Sequence, residues 1–511
     1  MRQEYDVIVV GMGPVGGAMA LALAHEGLRV AVVEQFPDPF DKPRAIGIDH
    51  DSLRLLQSFG VMDQLGPSLG EYRPSEYLSA RGELLRRILP QPKPYPQAWP
   101  PYSTFVQPEL EKVLREACAR NALIDLKLGW LAAQPAESRD GVEIDIAHVG
   151  TGGAQSLAAK YLVACDGARS PIRAALPLSL IDLEFDESWL VVDVIVTEDA
   201  TLPQTTVQYC NAERPATFIE GPGRLRRWEI MLLAGEDPSE MSEETRVWQL
   251  LSPWLREDQG QIWRAACYRF NARVADRMQC GRIFLAGDAA HQTPPFMAQG
   301  LNQGIKDVIN LAWKIAAVIH GSASADILET YSDERQPNAA AVIALTKQLG
   351  KIICELDPVG AADRDRVMLG EVAAGRGEVV RQDLLPPLQP GRLVREGALG
   401  KGAGKVFPQP LIAVGEAVHR LDDIVDRGFI LFLDSAVEEP LLSAACAANI
   451  RIVCLGGEGD ALREVEPVAS DWLRSHGALA ALVRPDHIVY GTATSGSEIG
   501  RLVEELTASL H

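Results

Sequence analysis

The sequence predicts an α/β protein: a parallel-sheet dinucleotide-binding unit interrupted by an antiparallel sheet, then a smaller α/β unit toward the C-terminal end. Three observations predict it. The chain opens on a β-branched strand, a glycine-rich turn and an apolar helix. Residues 181–280 alternate apolar and polar with hairpin punctuation, and residues 406–511 hold short β-rich runs between helical intervals. A length of 511 residues, 47% of them hydrophobic, supports several cores.

Asp6–Val10 ends abruptly in glycine, as a strand buried in a parallel sheet does. Gly11-Met12-Gly13-Pro14-Val15-Gly16-Gly17 follows, then a helical stretch to Glu26, a stop at Gly27 and a second strand, Leu28 to Val33, ending at Glu34. Between Pro90 and Pro108 seven prolines argue against helix and central strand, and Tyr95, Trp99, Tyr102 and Phe105 among them predict an ordered loop laid over an apolar surface. The strand-like middle third, with Gly221-Pro222-Gly223 before Arg227-Trp228-Glu229-Ile230-Met231, reads as an inserted domain over 181–280 that borrows parts of 73–105. Residues 281–355 resume the first domain (1–180). Residues 356–405, rich in charge, glycine and proline, read as a linker, and 406–511 as the C-terminal domain.

Composition narrows the function. Against 69 acidic side chains stand 49 basic ones, a formal charge of -20 that disfavours nucleic acid and anionic membrane surfaces as partners. Leu311 to Ile319 is short and carries Lys314, the acidic start Met1 to Asp6 is unlike a secretory signal, and eight cysteines form no C-x-x-C pair or zinc-ligand spacing. A cytoplasmic protein without a metal site is expected, with a homodimer as the candidate assembly.

Gly11, Gly13 and Gly16 fit G-x-G-x-x-G between strand and helix, and Glu34 lies 18 residues beyond Gly16. The first glycine permits the tight turn, the second lets backbone approach a pyrophosphate, and the third permits helix–strand packing; Glu34 would accept from ribose hydroxyls. The pattern alone does not distinguish one dinucleotide from another. A second element, Gly281 to His291, is a strand ending in Gly287-Asp288, with Gly300-Leu301-Asn302 opening a helix downstream. An acid there can hold a polyol, and the helix amides can stabilise a negatively charged ring edge. The third, Leu162 to Arg173, contains the turn Asp166-Gly167 and a Ser170-Pro171 helix start.

In this order the three elements resemble the flavin-dependent aromatic hydroxylases, over residues 5 to about 350. Pro43-Arg44-Ala45-Ile46-Gly47-Ile48-Asp49, Gly287-Asp288-Ala289-Ala290-His291 and Tyr331-Ser332-Asp333-Glu334-Arg335 are most similar to the 3-(3-hydroxyphenyl)propionate hydroxylase branch, and residues 404–490 resemble its thioredoxin-like tail. The resemblance implies a Rossmann-like FAD-binding domain, an inserted antiparallel-sheet substrate domain and a thioredoxin-like C-terminal domain. It also implies a reaction in which NADH or NADPH reduces FAD and O2, through a flavin C4a-hydroperoxide, hydroxylates a phenolic compound such as a hydroxyphenylpropionate-like acid. By position, Arg44 would meet the flavin phosphates or the nicotinamide nucleotide, Gln107 and Asp288 the ribityl chain, Asp166-Gly167 both cofactors, Pro294 and Pro295 the reacting face, and the Leu301 and Asn302 amides the pyrimidine edge. Gln299 stands where p-hydroxybenzoate hydroxylase has lysine, and His50 where related propionate hydroxylases have a second acid.

Asp49, His50 and Tyr209 are candidates for a base near the substrate hydroxyl, and Arg224 and Arg227, beside Arg226, for a carboxylate partner. Strand alternation sends only some of these arginines inward. The 90–108 segment is a candidate for closing the site. Gly400 to Lys405 fails the phosphate-loop pattern at Leu399 and Val406 and reads as flexible linker, and Cys446 and Cys454 lack redox spacing. A reductase, a halogenase-like enzyme or a flavin-bound assembly protein remain alternatives.

Overall fold

Five parallel strands form the core of the first sheet, the central Gln3–Val10 and Val30–Glu34 being apolar on both faces and covered by helices. In the computed structural model, which describes residues 3–389, 400–434, 445, 448–455 and 461–510, their order is Ile283–Leu285, Ala154–Ala164, Gln3–Val10, Val30–Glu34 and Ile124–Leu128. Val10 lies level with both Ala164 and Val33, so the strands end together beside the glycine turn. The helix Pro14–His25 starts there, with Pro14 at its first turn and Gly13 at its N-cap.

The second sheet has nine strands. Leu180–Val196 lies between Gly260–Ala275 and Leu225–Met231; beyond these come Ala216–Glu220, Thr206–Cys210, Ser75–Ser79 and Leu84–Leu89. Its two faces are distinct. Leu190, Val192, Val194, Phe218, Trp228 and Ile230 pack with the helix Glu244–Leu251, whereas Tyr77, Trp189 and Met231 pack with Phe296 and Met297. The second face therefore looks toward the first domain.

Two local expectations are corrected. Tyr102–Thr104, free of proline, is the central strand of a three-stranded sheet with Gly47–Asp49 and Gly70–Glu71. The stretch expected as linker holds the helix Pro358–Ala373, capped by Asp357, and the strand Glu378–Val380, which extends the nine-stranded sheet by pairing with Leu84–Leu89. Gly404, expected in a flexible piece, bonds Leu388 and Val489 through its backbone.

The C-terminal unit is a four-stranded mixed sheet ordered Arg451–Cys454, Ile430–Leu433, Ala480–Val483, Val489–Ala493, with the helices Val468–Ser475 and Gly496–Leu510. Cys454 is half-buried on it; Cys446 lies outside the described residues. A fully buried ionic cluster locks the unit to the first domain: Arg484 bonds Glu334 at 2.8 and 2.9 Å, and Lys314 reaches the same carboxylate at 2.9 Å. Burial alone would raise the Glu334 carboxyl, but Arg484 and Lys314 hold it far below its usual range, while burial pulls the Lys314 ammonium down to about 8. Among the described residues no helix is long and apolar enough to cross a membrane.

Candidate active site

The glycine turn is shaped for close approach. Gly11 adopts φ +96°, and a Cβ there would meet the Cys165 carbonyl oxygen at 2.4 Å; a Cβ at Gly16 would meet the Gly11 oxygen at 2.0 Å. At Gly13 a Cβ would meet nothing within 4 Å, so open space lies above the helix N-terminus. Glu34, at the end of the next strand, accepts from Met12 N at 2.7 Å and Phe36 N at 2.8 Å, which fixes its carboxylate beside that space.

Asp288 is exposed to solvent yet hemmed in by protein, as a side chain lining a deep cleft is. Its enclosure raises the carboxyl above the ordinary range, against the opposing charges of His291 and Arg44. Asp166 is similar: burial raises it despite bonds from Ser170 and Ile172, and its Oδ1 is buried without a partner. Gly167 and Gly300 also face open space, and the helix Gly300–Ile319 has no side-chain cap, so the first-turn amides of Leu301 and Asn302 point out with nothing from a capping side chain in front of them. Open glycines, an orphaned acid, a second acid in a cleft and an uncapped helix start fit a dinucleotide flavin, whose adenosine ribose Glu34 would hold, its pyrophosphate Gly13, its ribityl chain Asp288 and its ring edge the Leu301 and Asn302 amides.

The Gly287–Asp288 turn rests on a buried frame that the sequence did not reveal. Asp307 accepts from Gly287 N at 2.9 Å, Arg335 Nε at 2.8 Å and, at 2.7 Å, lies against His291 Nε2. Burial would raise its carboxyl, but His291 and Arg335 hold it below its usual value. Arg335 also bonds Gln303 and Asn338, and Tyr331 donates to the Leu285 oxygen at 2.7 Å. Asn302, fully buried, accepts from Asp49 N and Ser52 Oγ, both at 3.0 Å. Pro294 is buried and Pro295 half-buried in a loop whose Met297 and Ala298 take φ of +76° and +46°. Such left-handed non-glycine residues cost about 1–2 kcal/mol each. Arg381, from the stretch expected as linker, holds the loop by donating to the Met297 carbonyl and lies 3.9 Å from the Tyr102 ring centre. Gln299, fully buried, donates to the same carbonyl.

Several expected roles are corrected. Gln107 is occupied: its Oε1 accepts from Arg44 N and Ala45 N, and its Nε2 donates to Glu111. Asp49 caps the helix His50–Ser58 by accepting from Ser52 N on Oδ1, and its Oδ2, buried without a hydrogen-bond partner, lies 3.4 Å from Lys306 Nζ. His50 is buried, which lowers its pKa, and the nearest acid, Asp51, is 3.8 Å away. Tyr209 packs on Trp254 on the face of the sheet turned away from the first domain. Arg224 is exposed in a turn. Arg227 points inward but is spent on Asp193 and on the carbonyls of Pro43 and Arg44. It fixes the loop that presents Arg44, whose own side chain is exposed.

The proline-rich segment is fastened, not free. Gln97 and Pro96 are bonded by Gln409 of the C-terminal unit, Arg54 joins Gln97 to Asp422 and the Phe407 oxygen, and Arg420 lies 3.7 Å from the Trp99 ring centre. The tail thus clamps the loop that leads to Tyr102.

Residues 4–346 match the family described as FAD binding domain, and residues 404–509 the HcaD C-terminal domain. The chain belongs to the FAD-dependent aromatic hydroxylases. It is 32% identical to 3-(3-hydroxy-phenyl)propionate/3-hydroxycinnamic acid hydroxylase 2 of Burkholderia vietnamiensis, covering 96% of this chain and 93% of that one. It is 29% identical to a probable NADH-specific resorcinol 4-hydroxylase of Rhodococcus jostii, covering 100% and 96%. The crystal structure of the flavin-dependent monooxygenase PieE with FAD and substrate superimposes with a TM-score of 0.85 at 20% identity, covering 100% of this chain and 99% of that one. The hydroxylase is thus an α/β flavoprotein with FAD as its cofactor.

Proposed function

We propose that the hydroxylase acts on a monocyclic phenol, of the kind named for its hydroxyphenylpropionate and resorcinol relatives, with NADH or NADPH and O2 as co-substrates, in the cytoplasm where those donors are abundant. The observation that carries this is the shape of the inward sheet face. It is bounded at one end by the Arg44 loop, held by Arg227, and at the other by the Pro294–Met297 loop, held by Arg381. The ring is assigned to the space between the two.

When bound, FAD supplies hydride acceptance and oxygen activation. The chain's residues do the rest. Arg44, exposed at the cleft, meets the donor's phosphates beside Asp166-Gly167. The Leu301 and Asn302 amides would hold the ring's edge and favour negative charge there. Trp189, Phe296, Met297 and Tyr102, all buried, exclude water from the reacting face. The clamped loop and the tail keep that enclosure rigid.

The test is NADH and NADPH oxidation with oxygen uptake, with and without resorcinol or 3-(3-hydroxyphenyl)propionate, followed by product mass. A gain of one oxygen atom in the ring is expected. Phenol-independent oxidation yielding only H2O2 with every phenol tried would refute the reading.

A further inference from the structure

On the inward face of the nine-stranded sheet two acids, half-buried Glu187 and buried Glu229, have no hydrogen-bond or ion-pair partner among the described residues. Glu229 lies on Leu225–Met231, two residues from Arg227 and two from Met231. Strand alternation puts all three on one face. Arg227 reaches the Pro43 and Arg44 carbonyls, and Met231 packs in the cluster of Phe296 and Met297. Glu229 is therefore placed between the two loops that bound the ring site.

Its neighbours across the sheet form a polar row. Glu229 pairs in register with Val191 on one side and Thr217 on the other, and Thr217 pairs with Gln208. Thr217 Oγ1 donates to Gln208 Oε1 at 2.5 Å, leaving the Gln208 amide nitrogen on the same face. Glu229 itself is only 6% exposed, and no described residue donates a hydrogen bond to it. Its carboxylate oxygens are not wholly shut off from open space, so a donor from a bound molecule can reach them. We propose that Glu229 is the group that receives the substrate's phenolic hydroxyl and takes its proton, a reading that rests on the hydroxylase function above.

The proton balance is simple. The phenol O–H bond breaks, the proton passes to the Glu229 carboxylate, and the ring gains phenolate character that makes its ortho and para carbons nucleophilic toward oxygen. The proton returns when the hydroxylated product leaves. The charges around the carboxylate are Arg227 on its own strand, Asp193 on Leu180–Val196, Arg264 on Gly260–Ala275, and Arg44 on the loop beyond Arg264. Arg227 and Arg264 are both engaged by Asp193, at 2.7 and 3.7 Å, and both donate to the Pro43 carbonyl. Burial consequently prevails over these cations and raises the Glu229 carboxyl above its ordinary value, toward that of a useful base.

The test compares the wild-type holoenzyme with Glu229→Gln, with resorcinol and 3-(3-hydroxyphenyl)propionate as probes, between pH 6.5 and 9.5. FAD content is measured alongside. At pH 7 the variant should form hydroxylated product about 100-fold more slowly, the loss expected when a general base is removed. Its deficit should shrink by roughly tenfold per pH unit, because solution supplies phenolate as pH approaches the phenol pKa near 10. Glu229→Asp, which withdraws the carboxylate by one methylene, should be slowed about tenfold and keep the wild-type pH profile. It decides the question should Glu229→Gln not hold FAD. Wild-type product formation in either variant at pH 7, or a Glu229→Gln deficit independent of pH, would overturn the proposal while leaving the hydroxylase reading intact. A wild-type enzyme that hydroxylates no phenol overturns both.

Discussion

Asp307→Asn tests the frame beneath the flavin turn. Asp307 is fully buried and accepts from Arg335 Nε at 2.8 Å and Gly287 N at 2.9 Å, with His291 Nε2 at 2.7 Å. Arg335 is itself 2% exposed, and its remaining bonds go to neutral acceptors on Gln303 and Asn338. Removing the carboxylate charge leaves a guanidinium buried without a counterion, which costs about 3–5 kcal/mol. The Gly287 amide is held less firmly, and the Asp288 turn should lose about tenfold in FAD affinity, near 1.4 kcal/mol. The assays are the urea midpoint of flavin release and a titration of apoprotein with FAD. The double variant Asp307→Asn/Arg335→Met supplies the control: with the charge gone from both sides it should be more stable than the sum of the single losses by about 1–3 kcal/mol. A change below about 0.5 kcal/mol in Asp307→Asn, or strictly additive losses in the double variant, would show that the cluster does not act as a unit.

Asp288→Ala should weaken FAD retention at least tenfold, read by dialysis and flavin absorbance, since its carboxylate lines the cleft and no described residue forms an ion pair with it. Arg381→Met frees the Met297 carbonyl and lets a strained loop relax; flavin reduction should persist while H2O2 per NAD(P)H oxidised rises severalfold at the expense of product. For pH, burial would raise both Glu334 and Asp422, but their cationic partners, Arg484 and Lys314 for the first and Arg54 for the second, hold the folded carboxyls below the ordinary range. Their stabilisation is complete above the unfolded carboxylate pKa near 4 and is lost as pH falls from there toward the depressed folded values. Limited proteolysis at pH 3.5 should therefore release the C-terminal unit faster than at pH 7, and Glu334→Gln should flatten that dependence.

The glycine turn, the Asp288 turn and the Gly300 helix were legible because their signals are local: a β-branched run, glycine at a fixed offset, an apolar helix. The helix Pro358–Ala373 also carried its signal, Asp357 as N-cap with Pro358 in the first turn. The charge, glycine and proline around it outweighed that signal in a compositional reading. The frames that fix the site are different in kind. Asp307 and Arg335 are 28 residues apart and Glu334 and Arg484 are 150 apart, and no spacing rule connects such partners.

The base and carboxylate assignments turned on a subtler matter, the parity of strands. A one-residue choice of register decides whether Tyr209 or Gln208 faces the ring, and nothing on that strand alone makes the choice. The structure decides it through Tyr77, which is level with Gln208 and packs toward Phe296 and Met297. The same parity propagates across the sheet, through Thr217, to Glu229. Three arginines drew notice to residues 224–227 as the polar feature of the strand, yet the one that points inward serves the Arg44 loop. The acid two residues further on is largely buried and has no donor among the described residues. A polar residue whose hydrogen bonds cannot be found within the chain is where a substrate's own donor must be sought, and on the inward face between Arg227 and Met231 that residue is Glu229.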